Sequence, residues 1–96
     1  MFYIYILYSE TFDKYYVGYT DNPKKRLIEH NEISINSFTS RYRPWCLVGQ
    51  FEVGENRGLA MKVERHIKQQ KSKSYIKDML KRDSISQIIE RFSSVG

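Results

Sequence analysis

Residues 2–8, Phe-Tyr-Ile-Tyr-Ile-Leu-Tyr, form an unbroken run of β-branched and aromatic side chains, the make-up of a strand. Residues 14–19, Lys-Tyr-Tyr-Val-Gly-Tyr, read the same way. The short, mostly polar segment from Ser9 to Asp13 predicts a β-hairpin with a loop of about four residues between them. Pairing Tyr8 with Asp13 sets Tyr5 opposite Tyr16 and Tyr3 opposite Gly18. Period-two alternation then sorts the faces. Phe2, Ile4, Ile6, Tyr8, Tyr15, Val17 and Tyr19 share a side that reads as core. Tyr3, Tyr5, Leu7, Lys14, Tyr16 and Gly18 share a side that reads as an exposed working face.

Further along, Thr20 or Asp21 is placed to cap a helix with Pro23 in its first turn, and Arg26 and His30, four apart, lie on one side of it. Asn31 to Arg43 shows no period and many small polar residues, so an exposed loop is expected. Trp45 to Val53 predicts a third strand, broken by Gly54 to Gly58. Leu59, Ala60, Val63 and Ile67 make a helical apolar stripe with Glu64 at its edge. Lys71 to Lys73 marks a joint before a second stripe of Tyr75, Ile76, Met79 and Leu80. Ser84 caps a last helix with Ile85, Ile88, Ile89 and Phe92 inward. The pattern predicts an α/β (α+β) fold, a central three-stranded antiparallel sheet flanked by helices, in a single domain over residues 1–96.

Composition narrows the class. Hydrophobic residues are 41% and charged residues 28% of the 96, ordinary for a globular chain and against wholesale disorder. The single Cys46 cannot form an internal disulfide, which leaves nothing in favour of secretion. No apolar run approaches the roughly 20 residues of a membrane span. The start is too short and tyrosine-rich for a signal peptide, and a cytoplasmic location is expected. Tyrosine is in excess: five of the eight fall between Tyr3 and Tyr16. The net charge of +5 is also unevenly spread. From Met1 to Val48 six Lys/Arg face five Asp/Glu, whereas from Lys62 to Arg82 eight Lys/Arg face two acids. Such a stretch is a solvated helix face or a phosphate-binding one.

Tyr3-Ile4-Tyr5 and Tyr16-Val17-Gly18 resemble the two half-motifs of the GIY-YIG nucleases, and the hairpin spacing between them matches. Arg26 stands ten residues after Tyr16, His30 four further on, and Glu64 lies on the next long helix. The run Tyr-x-Gly-Tyr-Thr…Arg-Leu…His-Asn with Pro-Trp and Glu-Arg-x-Ile-Lys is most similar to the family's small stand-alone endonucleases. Tyr3 stands where the family name has glycine, and no Asn follows Asn56.

That resemblance, which covers residues 2–82, implies a metal-dependent DNA endonuclease acting in repair or recombination. Tyr5 and Tyr16 would supply a general base and a second phenol; the sequence alone leaves either as the base, with Tyr5 the narrow choice. Arg26 would contact phosphate, His30 would join the catalytic set, and Glu64 would bind one Mg²⁺ or Mn²⁺. The physical chemistry agrees. A guanidinium donates two parallel bonds to phosphate oxygens, Mg²⁺ binds through one or two carboxylates plus phosphate and water, and a phenol with a reference pKa near 10 needs help to act as a base. Lys68, Lys71 and Lys73 are expected to hold the DNA backbone without reading bases. A second expectation, of another class, is a non-catalytic nucleic-acid-binding module that retains the fold. Glu64 has an alternative partner in Lys68 at i+4. His66 is expected to be solvated, Trp45 to pack in the core, and Cys46 to be a small buried hydrophobe. A zinc site lacks ligands.

Overall fold

A computed structural model describes residues 1–33, 37–82 and 84–93. Strands β1 (Phe2–Ser9) and β2 (Lys14–Thr20) form the hairpin, and β3 (Cys46–Gly54) completes an antiparallel sheet of order β2-β1-β3. The most apolar segment thus becomes the central strand, with Ile4, Tyr5, Ile6 and Leu7 all at 1% exposure or less. A strand covered on both faces needs such an unbroken run rather than alternation.

The hairpin register differs from expectation by two residues. Ser9 pairs with Lys14, Leu7 with Tyr16 and Tyr5 with Gly18. The physical reason lies in Gly18: the Tyr5 ring folds across it, and a Cβ there would collide with the ring's Oη, Cζ and Cε1 atoms. A shift of two preserves parity, so the division of side chains between the faces stands. At the turn, Asp13 has φ +51° and accepts hydrogen bonds from Tyr8 Oη at 2.8 Å and Lys73 Nζ at 2.6 Å.

Three helices cover the Ile4 face. They are α3 (Arg57–Gln69), α4 (Lys73–Arg82) and α5 (Ile85–Ser93), where α2, described below, is Phe38–Arg41. Val63, Ile67, Met79, Ile85 and Ile88 pack there on Ile4, Ile6 and Val17. Asn56 caps α3 by accepting the Leu59 N–H at 3.1 Å, and Lys71, with φ +48°, turns the chain into α4. His66, expected to be solvated, lies edge-on to Phe92 at 5.3 Å.

The opposite face is not exposed. Helix α1 (Pro23–Ile28) runs into a π-helical turn, Glu29–Ile33, and with the short α2 it covers Tyr5, Leu7 and Trp45. The cap of α1 is Asn22, not Thr20 or Asp21: its side chain accepts the Lys25 N–H at 3.1 Å, while Thr20 Oγ1 accepts the Asn22 N–H. The segment expected to be an exposed loop is therefore partly helical and partly buried, although residues 34–36 lie outside those described. Its polar side chains are occupied internally. Ser37 and Ser40 form a capping box, and Asn31 holds the Trp45 backbone through both its N–H (2.7 Å) and its C=O (3.0 Å). Trp45 packs inward at 3% exposure. Cys46, one residue on, alternates outward and is exposed, contrary to expectation. No helix among the described residues is long and apolar enough to cross a membrane.

Candidate active site

Tyr5 and Tyr16 sit on the same sheet face, one on the central strand and one on the outer strand, with ring centroids 6.3 Å apart. Helix α1 carries Arg26 over them from one side, and α3 presents Glu64 from the other. Tyr5, Tyr16, Gly18, Arg26 and Glu64 line a cleft of about 500 Å³, to which Asp21 and Arg57 also contribute. Arg57 lies over Tyr19, its Nε 3.2 Å from the phenol oxygen. Sequence reading missed it, since a lone arginine at a helix start carries no periodic signal.

The two phenols are held differently. Tyr5 is 1% exposed, and its hydroxyl meets His30 Nε2 at 2.9 Å. Burial pushes its pKa up to about 12, while the Arg26 guanidinium reaching the hydroxyl opposes the rise. Tyr16 is half-buried. Its ring stacks on Phe38 at 6.1 Å, meets Trp45 edge-on at 6.3 Å, and carries the Lys68 ammonium 4.9 Å from its centre. Of the two, Tyr5 is fixed inside the protein and Tyr16 stands at the cleft wall.

His30 does not line the cleft; it lies behind Tyr5, 4% exposed. Burial, reinforced by Arg26, lowers its pKa to about 4, with Glu29 opposing. The imidazole is therefore neutral near pH 7. Its Nδ1 lies 2.8 Å from Thr39 Oγ1, so each ring nitrogen has a hydroxyl partner, one side donating and the other accepting. Thr39, another residue sequence reading missed, is 2% exposed and also accepts the Trp45 Nε1–H on its carbonyl at 2.7 Å. An α1 continued without the wider π turn would aim the following side chains differently; the π segment carries His30 to the Tyr5 hydroxyl.

Arg26 pairs with Glu29 at 3.2 Å, and its pKa is raised by Tyr5 and Glu29 against the pull of burial. Glu64 pairs with Lys68 at 3.4 Å, its side chain about one-fifth exposed. It is a carboxylate at the cleft wall with oxygen lone pairs to spare. Among the described residues no three of His, Cys, Asp and Glu cluster as metal ligands, so the donor set is one carboxylate, with Asp21 lining the same cleft. Such a set fits a hard divalent cation that keeps most of its waters or shares substrate phosphate, and does not fit a caged ion. The three lysines are not brought together equally. All three line a neighbouring cleft, but Lys68 alone also pairs with Glu64 and lies over the Tyr16 ring, and Lys73 is in an ion pair with Asp13. Tyr3, where a glycine would stand, is ordinary strand paired with Thr20.

The arrangement offers one enclosed phenol, one accessible phenol, a guanidinium and a carboxylate around a polar cleft, a set suited to an anionic ester. The family model for the GIY-YIG catalytic domain matches residues 1–77 of the chain. No curated protein and no solved structure matches it.

Proposed function

The chain belongs to the GIY-YIG catalytic-domain family, and from that premise we propose that it is an endonuclease hydrolysing phosphodiester bonds in DNA with one divalent cation. Family membership implies nuclease-type chemistry in general. The observation that carries the finer reading is the convergence of Tyr5, Tyr16, Arg26 and Glu64, from four separate elements, on one cleft.

In the proposed reaction Arg26 donates paired hydrogen bonds to the non-bridging oxygens of the scissile phosphate. A water oxygen attacks phosphorus as the bond to the leaving oxygen breaks; the water's proton passes to the Tyr16 phenolate, and the leaving alkoxide takes up a proton from solvent. Tyr16 takes this part because it stands at the cleft wall, whereas Tyr5 is 1% exposed with its hydroxyl engaged by His30, and burial pushes the Tyr5 pKa up to about 12. Tyr5 then acts as a donor to the phosphate or the attacking water, oriented by His30, itself set by Thr39. His30 is thus a positioning residue. Glu64 would hold the Mg²⁺ or Mn²⁺, which when bound supplies charge neutralisation at the phosphoryl oxygens. Lys68 anchors Glu64 and the Tyr16 ring, and Lys71 and Lys73 extend positive charge along the strand that enters. We assign a cytoplasmic setting and a role in DNA repair or recombination to the same proposal.

Labelled DNA incubated with Mg²⁺ or Mn²⁺ tests this reading. Glu64→Gln removes charge with little change of shape, and is expected to abolish cleavage while sparing DNA binding. Equal cleavage by wild type and Glu64→Gln contradicts the assignment.

A further inference from the structure

A second cleft, of about 430 Å³, shares Tyr16 with the first, is lined by residues 13–17 in succession, and includes Lys68, which pairs with Glu64 of the first cleft. Those residues occupy both faces of an outer strand, so the cleft follows the unpaired edge of β2. Its walls come from the two helical layers: Phe38 of α2 on one side, Ile67 of α3 and Ile76 of α4 on the other. Its rim carries Lys14, Lys68, Lys71 and Lys73 against the single acid Asp13. Phe38 packs against Tyr16, Tyr42 and Trp45 yet stays 47% exposed and lines the cleft, so part of its aromatic surface is open there. A solvated basic face accounts for the lysines but not for an apolar interior between them.

The volume lies within the roughly 300–1,000 Å³ of small-molecule clefts, and the combination of apolar walls with a cationic rim matches a nucleotide with its base unstacked. Bases stack on aromatic side chains while lysines follow the phosphates. A base paired within a duplex cannot enter; one already unpaired enters without the cost of unstacking. The outer edge of β2 also suits an added peptide strand. Continuity with the proposed hydrolytic site through Tyr16 favours nucleic acid.

We infer that this cleft receives an unstacked nucleobase of the strand whose phosphate lies at Tyr16, so that the protein selects DNA with an unpaired base beside the scissile bond. The inference rests on the proposed function and adds its substrate class. Equilibrium binding of the 96-residue chain in EDTA, to a paired duplex and to the same duplex with one extrahelical base, tests it without any need for cleavage. Wild type is expected to prefer the second by about tenfold, on the scale of one stacked base. Phe38→Leu, which keeps apolar packing but no stacking plane, is expected to abolish the preference, and Phe38→Trp to retain it. Equal affinity of wild type for both duplexes, or a preference that survives Phe38→Leu, overturns the inference alone and leaves the β2 edge to a peptide strand. Binding to neither DNA overturns the proposed function with it.

Discussion

Gly18→Ala is the sharpest structural perturbation this sheet offers. The added Cβ would stand 2.5 Å from Tyr5 Cζ and 2.7 Å from Cε1. Relief by a small rotation is blocked, because the Tyr5 ring is 1% exposed and its hydroxyl is tied to His30. Overpacking of a filled interior costs about 1–3 kcal/mol. A buried hydroxyl pulled from its partner costs about 1–3 kcal/mol more. Alanine recovers roughly 0.5–1 kcal/mol of the conformational freedom that glycine loses in a strand. The net expectation is a loss of about 2–4 kcal/mol. Trp45, the chain's one tryptophan, is 3% exposed in the same cluster as Tyr5, and its fluorescence reports urea unfolding. With a slope of about 1–3 kcal/mol per molar urea, the midpoint should fall by about 1–2 M. In a Tyr5→Leu background the obstructing ring is gone, and Gly18→Ala should cost less than about 0.5 kcal/mol. A cost below about 1 kcal/mol in the wild-type background, or the same cost in both backgrounds, refutes the claim that Gly18 is required by the Tyr5 ring.

The buried imidazole gives a pH dependence. His30 binds its proton near pH 4 in the fold and near 6.5 when unfolded. Between those values the unfolded chain holds more protons, so stability falls as pH drops from 6.5 towards 4, by on the order of 3 kcal/mol. Urea midpoints across that window should flatten in His30→Gln, and an unchanged slope would remove His30 as the cause. The lysines give a salt dependence: DNA binding without metal should weaken steeply with salt, and alanine at Lys68, Lys71 and Lys73 should reduce that slope by up to about three counterions. A slope identical to wild type returns these lysines to a merely solvated face.

The strand pattern revealed which residues share a face, because period two is indifferent to a shift of two residues. It did not reveal the register, which a steric fact about Gly18 and Tyr5 decides. The stripes of α3, α4 and α5 were legible because each buries an apolar side against the Ile4 face. The cover on the other face was not, since Asn31, Ser37, Thr39 and Ser40 look like loop residues until their hydrogen bonds are seen. With that cover unrecognised, Tyr5 reads as an exposed phenol and the natural choice of base. Its burial by α1, the π turn and α2 moves the accessible role to Tyr16. Cys46 was misplaced by one step of alternation, because the preceding Trp45 takes the inward position. Arg26 and Glu64 were singled out by the family resemblance and line one cleft with the two phenols, while Arg57 and Thr39 come near it only through tertiary packing.

Single-turnover cleavage bears most directly on the proposed chemistry, measured with Mg²⁺ or Mn²⁺ on duplex, nicked, flap and branched DNA. Wild type should cleave at least one of them. Tyr16→Phe should bind DNA normally and lose on the order of 10²–10⁴ in rate. Tyr5→Phe should also be slowed, and Tyr3→Phe should be close to silent. Cleavage by Tyr16→Phe at the wild-type rate, or a wild type that cleaves none of these substrates with either metal, would contradict hydrolysis at this cleft.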